Sequence, residues 1–320
     1  MLDSMNQTFV KAKRGIGKIP CYKVDFEDDV IELVDNSKDV LEQNLLKYGG
    51  VLIRGSGMRS LSEFSKLSSI ISPNLFDYVN RSTPRTKLGG KIYTSTEYPA
   101  EKHITFHNEN AYTNKWPSKL MFFCIIPSDT GGETAIADSR YVLQNIDQAI
   151  IEIFEKKKIL YKRNYSEYID LSWEEVFQTE DKSEVEEYCK NNEINFQWRE
   201  DDIVSLSTSQ VCQATLEHPK TKEKVWFNQA HLFNISMIKA EDIENIAKLV
   251  GMDNLPRNSY FGDGTDIPAD YIKHILDAYE KERIEFTWKK GDIMILDNVL
   301  MTHSRNPYTG KRKVVVSMGE

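Results

Sequence analysis

Thr105-Phe106-His107-Asn108-Glu109-Asn110 is the stretch on which the reading of this chain turns. Taken as a strand or its trailing edge, it puts His107 and Glu109 on one side, because strand side chains alternate with a period of two. Two such neighbours can occupy adjacent corners of an octahedral metal. A donor from elsewhere would complete one face, and His303 is the candidate. Two neutral imidazoles and one carboxylate on a single face leave three positions open, the arrangement that suits ferrous iron. Alone, an H-x-E triplet is as readily an exposed pair on a strand, so its surroundings decide.

Immediately before it, Thr83 to His107 is rich in Thr, Gly, Tyr and Pro and has no helical period. It reads as a loop, either one that contacts substrate or ordinary surface. Immediately after it come the apolar strand Leu120 to Ile126, a turn at Pro127 to Gly132, and a second strand over Glu133 to Ala137. Farther out, Asp29 to Tyr48 has helical spacing with a break near Asn36-Ser37, Val51 to Gly55 is a short buried strand, and Leu61 to Ile71 is a helix capped by Ser60 or Ser62. Helical patterns recur over Val142 to Lys158, Ser172 to Asn191, Glu241 to Val250 and Ala269 to Glu282. Strands follow at Val204 to Val211, Val225 to Asn228, Ile293 to Asp297 and Arg312 to Met318. Strands that frame helical insertions imply an α+β chain with a double-sheet jelly-roll core flanked by helices. Residues 1–320 read as one domain, with 1–19 a flexible or edge-covering tail and 160–200 an insertion over the core.

Bulk properties narrow the function classes. The net charge is -8 with both signs interspersed, so there is no basic stripe for nucleic acid. No apolar run approaches a membrane span, and the first residues lack the apolar middle of a signal peptide, which together predict a cytoplasmic protein with no membrane partner. Cys21, Cys124, Cys189 and Cys212 are scattered and form no C-x-x-C pair, so they read as reduced thiols and not as a zinc site.

His107-Asn108-Glu109, Trp116-Pro117-Ser118-Lys119-Leu120, Gly131-Gly132-Glu133-Thr134, Asp297-Asn298 and His303-Ser304-Arg305-x-Pro307-Tyr308 together resemble the taurine dioxygenase/clavaminate synthase-like family. Val225-Trp226-Phe227-Asn228-Gln229 and Phe261-Gly262-Asp263-Gly264 resemble it too, in a branch that includes amino-acid hydroxylases of peptide natural-product pathways. The likeness runs from about Leu45 to the C-terminus. It implies a double-stranded β-helix core and three cofactors: Fe(II), 2-oxoglutarate and O2 as co-substrate. It implies His107, Glu109 and His303 as iron ligands, Thr134 as a contact to the 2-oxoglutarate carboxylate, and Arg312 as the partner of its far carboxylate. A guanidinium can grip a carboxylate through two parallel charge-assisted hydrogen bonds, which suits that last role. Arg312 is preferred over Lys311 and Lys313 because Val314 and Val316 share its face and would line an apolar interior; a surface salt bridge is the plainer alternative. In the resembling halogenases a small residue replaces the carboxylate ligand, so Glu109 points to hydroxylation.

The implied substrate is a small molecule, an amino acid or a derivative of one, free or tethered to a carrier protein. Desaturation or cyclisation of a small carboxylate or sulfonate would need the same cofactors, and a metal-binding jelly roll without oxygenase activity is the other class. Asn228, Gln229 and Arg305 are candidate substrate contacts, with local turn support the alternative for the two amides. His231 is a further pocket candidate, His103 reads as a loop histidine, His218 as solvent-exposed, His274 as surface or core, and Asp297 with Asn298 as supports of the His303 loop.

Overall fold

A computed structural model describes residues 7–25, 27–76, 86–89, 91–95, 98–199 and 203–320. Residues 1–6 of the expected tail, and residues 83–85, 90 and 96–97 of the loop before the H-x-E triplet, lie outside them. The apolar run around Leu120 forms a strand, Lys119–Ile126, near the centre of an eight-stranded sheet. In spatial order the sheet holds Gln7–Lys11, Lys18–Lys23, Gly50–Arg54, Ile293–Asp297, Lys119–Ile126, Lys313–Gly319, Ile92–Thr94 and Lys87–Gly89. Neighbours are antiparallel except for Lys18–Lys23 beside Gly50–Arg54.

The period of two sorts the central strands into faces. Met121, Phe123, Ile293, Ile295 and Val315 point one way, into a cluster completed by Val34, Leu45, Phe64 and Leu67 from the helices Val30–Asp35, Lys38–Tyr48 and Leu61–Ile71. Leu120, Phe122, Leu296, Val314 and Val316 point the other way, onto Ile136 and Met301. Those two residues belong to a second sheet of three strands, Ile104–His107, Met301–Arg305 and Ile136–Asp138. Each fully buried aliphatic or aromatic side chain here contributes about 1.5–3 kcal/mol, so two alternating faces commit the large sheet to its register.

The helix break foreseen at Asn36-Ser37 is where the first two helices part, and Ser60 caps Leu61–Ile71 through a capping box with Glu63. Other expectations shift. The helix over Val142 to Lys158 is two, Ser139–Gln144 and Gln148–Lys157, and the acidic helix after Ser172 is also two, Trp173–Phe177 and Lys182–Asn191. From residue 7 onward the expected tail is part of the large sheet: Gln7–Lys11 is a hairpin edge strand on Lys18–Lys23, and Ile19 is fully buried. The stretch 160–200 contributes Ile159–Tyr165 to a third sheet, between Leu206–Cys212 and Arg257–Phe261. It also gathers a small core of its own around Trp173, Val176, Phe177, Val185 and Cys189.

A buried carboxylate ties the N-terminal hairpin down. Glu282 accepts from the N–H groups of Ile16 and Gly17, 3.1 and 3.2 Å away, and its other oxygen accepts from Asn145. Glu282→Ala strands those donors and is expected to cost about 1–3 kcal/mol in urea unfolding. Amide exchange should accelerate first at Ile16 and Gly17; unchanged exchange there would show that strand pairing alone holds the hairpin.

Candidate metal centre

The strand Ile104–His107 pairs antiparallel with Met301–Arg305, and His107 stands directly opposite His303. Opposed residues of such a pair bring their Cβ atoms to about 4.5–5.5 Å, and the two rings meet with centroids 4.2 Å apart. The strand ends at His107, and Glu109 lies in the turn that follows. Strand alternation is therefore not what brings Glu109 alongside. The turn does so, with Asn110 in the left-handed region at φ 57°, a conformation that Asn tolerates better than most residues.

Glu109 and His303 come together as the expectation requires, with His303 Nε2 3.8 Å from Glu109 Oε2. One ligand atom from each of His107, Glu109 and His303 falls within 4.8 Å of the others, and all three residues are buried. His107 Nδ1 lies 2.8 Å from the carbonyl of Thr105, two residues back, so the ring donates there and turns its Nε2 lone pair inward. Asn298 grips the Glu109 peptide at both ends: its Oδ1 accepts from Glu109 N–H at 2.8 Å and its Nδ2 donates to Glu109 O at 3.0 Å. Asn108 returns the contact, donating to Asn298 O and Met301 O. The two segments that carry the donors are thus laced together by two asparagine side chains.

Beside the histidines a small cavity is lined by Phe122, Thr134, Ser304, Arg305 and Arg312. Arg312 Nε donates to Gly132 O at 2.9 Å, and its Nη1 and Nη2 reach Ser95 Oγ and Thr134 Oγ1. Among the described residues it has no carboxylate in ion-pair range. Burial, with the nearby Arg305 charge adding to it, pushes its pKa down to about 10, and it remains a cation at neutral pH. Thr134 Oγ1 also accepts from Trp288 Nε1 at 3.1 Å. With two donors already on that oxygen, its own proton is left to donate elsewhere. Trp288 was not anticipated; it sits 154 residues from Thr134, and only the folded contact marks it.

The other candidate residues make specific contacts, and one of them, His218, departs from its expected exposure. Arg305, a candidate substrate contact, lines the cavity and sends its terminal nitrogens to the carbonyls of Tyr98, Pro99 and Lys102, pinning a loop. Asn228 uses both ends of its amide locally, on Ala214 O and Ala230 N–H, which is turn support. Gln229 donates to Asn108 O, behind the metal turn. His218 is only 3% exposed, because its Nε2 meets Asp297 Oδ2 at 3.0 Å. The other oxygen of Asp297 accepts from Val299 and Leu300 N–H, shaping the bend that leads to His303. His231 is fully buried, with Nε2 on Phe106 O.

A model of the family described as "Taurine catabolism dioxygenase TauD, TfdA family" matches residues 10–318. The chain is 41% identical over 278 residues to the dapdiamide synthesis protein DdaC of Enterobacter agglomerans, covering 87% of this chain and 84% of that one. It is 30% identical over 301 residues to a clavaminate synthase-like protein of Arabidopsis thaliana, covering 90% and 86%. Among solved structures, PvcB of Pseudomonas aeruginosa aligns with a TM-score of 0.58 at 11% identity, over 98% of this chain and 90% of that one. AAD-2 in complex with Mn(II) and N-oxalylglycine aligns at 0.55 and 12%, over 98% and 97%. At such identities these structures speak for the fold alone, whereas the family match spans nearly every residue from the first hairpin to the last strand. The chain belongs to the TauD, TfdA family of Fe(II)- and 2-oxoglutarate-dependent dioxygenases.

Proposed function

We propose that this dioxygenase hydroxylates an unactivated C–H bond of an amino acid, or of an amino-acid-derived substrate carried free or on a carrier protein, in a biosynthetic pathway. The observation that carries the reading is the buried His107, Glu109, His303 group beside a guanidinium with no carboxylate in ion-pair range among the described residues. We take the large and small sheets as the two halves of a double-stranded β-helix and the whole chain as one oxygenase domain. The relative named for dapdiamide synthesis, 41% identical, supports a biosynthetic role.

His107, Glu109 and His303 would hold the iron. The donor set fits: two imidazoles and one carboxylate, all buried, suit a ferrous ion with open positions. When bound, the iron couples the oxidative decarboxylation of 2-oxoglutarate to succinate and CO2 with oxidation of the substrate. The protein's share is placement and exclusion of water. Arg312 would hold the far carboxylate of 2-oxoglutarate, and the Thr134 hydroxyl, turned outward by Trp288 and Arg312, would donate to it. Phe122 and Ile104 line the same cavity and keep it dry on the sheet side. Glu109 fills the third protein position with its own carboxylate, leaving no place there for a halide, which favours hydroxylation.

Anaerobic addition of Fe(II) and 2-oxoglutarate should raise a weak visible charge-transfer band that His107→Ala abolishes. A band that survives the substitution would remove His107 from the metal. Arg312→Gln should raise the 2-oxoglutarate concentration for half-saturation by roughly 10- to 150-fold, the equivalent of about 1.5–3 kcal/mol for a charged hydrogen bond; an unchanged value would place the co-substrate elsewhere. Free and carrier-bound amino acids should be screened for substrate-stimulated succinate release. Stimulation by neither, with stimulation by a sulfonate or a simple carboxylate, would refute the amino-acid reading.

A further inference from the structure

The strand that presents His107 is an edge strand: Met301–Arg305 pairs with it on one side, and its sheet ends there. An edge carbonyl that is buried still requires a donor. The donors here are two side chains from one short segment. His231 Nε2 meets Phe106 O at 2.6 Å, and Gln229 Nε2 meets Asn108 O at 2.6 Å. Phe106 and Asn108 are the residues on either side of His107.

The segment is itself held firmly. The Tyr161 hydroxyl accepts from Gln229 N–H at 2.8 Å, and Ser259 Oγ donates to Ala230 O at 2.8 Å. The His231 ring lies 4.9 Å from Tyr279, whose own ring stacks on Phe106 at 5.7 Å. Both donor residues are essentially fully buried, and neither lines the cavity beside the histidines.

We propose that His231 and Gln229 are positioning residues of the metal centre: they clamp the two peptide carbonyls that bracket His107 and so set the angle at which its ring meets Glu109 and His303. The inference rests on the reading that those three residues hold iron. It also explains why the clamp is built from an imidazole and an amide. Each donates an N–H without bringing charge, whereas an ammonium or guanidinium here would repel a dication held by the three donors. Burial holds His231 down at about 4, so the ring stays neutral and its Nε2 keeps the proton that Phe106 O accepts. Neighbours of this kind, one step removed from the ligands, typically change metal affinity by about 10- to 100-fold when lost.

The test uses Co(II), titrated anaerobically into the full chain and read by its visible absorption, so that turnover is not needed. His231→Leu and Gln229→Leu, each confirmed as folded by circular dichroism and thermal melting, should bind Co(II) roughly 10- to 100-fold more weakly and with a displaced spectrum. His231→Gln should recover most of the affinity, because a glutamine amide can place an N–H near the position of the lost Nε2–H; His231→Asn, one methylene shorter, should not. Folded leucine variants with wild-type affinity and spectrum would overturn the proposal. If neither leucine variant folds, the Gln and Asn pair decides, and equal affinities there would overturn it. Failure of the wild-type chain to bind Co(II) or Fe(II) at all would instead refute the metal reading itself, a separate result.

Discussion

His303 stands opposite His107 across two antiparallel strands, and the rest of the centre depends on that register. A slip of one residue would turn one imidazole away from the other, since every side chain on the slipped strand changes face. The register is secured from three directions. Met301 is buried in the core between the two sheets. Ile136–Asp138 pairs along the far edge of the same strand. Asn108 donates to Met301 O from the turn beyond His107. None of these contacts uses the side chain of His107, Glu109 or His303, so the strand pair is held by backbone pairing and ordinary packing.

The same frame explains the company of arginines next to the histidines. Arg312 and Arg305 are both desolvated, and the Tyr308 ring sits between them, 5.2 Å from Arg305 and 5.6 Å from Arg312. Two largely desolvated guanidinia beside a candidate cation site call for hydrogen-bonding or anionic partners. Arg305 is accommodated by three backbone carbonyls, whereas Arg312 has one backbone carbonyl and two hydroxyls and no carboxylate in ion-pair range among the described residues. A dicarboxylate held by the metal at one end and by Arg312 at the other would satisfy both requirements, in keeping with the proposed role of Arg312.

What could be read from the sequence follows from the range of the interaction concerned. Ser60 and Glu63 are three residues apart, and their capping box appears as written. The apolar run from Leu120 gives a strand because its burial on both faces needs no knowledge of the partner strands. His107, Glu109 and His303 were legible as residue types suited to one metal, although the turn that delivers Glu109 was not. Where the deciding partner is remote, reading failed. His218 looked solvent-exposed beside Pro219 and a lysine, yet Asp297, 79 residues on, draws it inside. For Arg305 the sequence does not announce the loop at Tyr98 to Lys102 that its guanidinium holds. Residues 7–11 carry too weak an apolar pattern to announce a strand; the hairpin partner and Glu282 supply what the local sequence lacks.

The turn at Glu109 has its own physical logic. Two residues along a strand separate their Cα atoms by about 6.6 Å, a long reach for two ligands that must share one ion with a third across the sheet. Ending the strand at His107 and bending the chain through Asn110 folds the carboxylate back towards the imidazoles. A bend there removes the ladder partners that Glu109 would have had, and an orphaned buried peptide is costly. Asn298 supplies both partners in one side chain, and it can do so only because Asp297 caps the bend on which it stands. The acidic ligand therefore owes its position to a residue that comes five places before His303, and the two ends of the metal site are set by a single local structure on the opposite strand's approach.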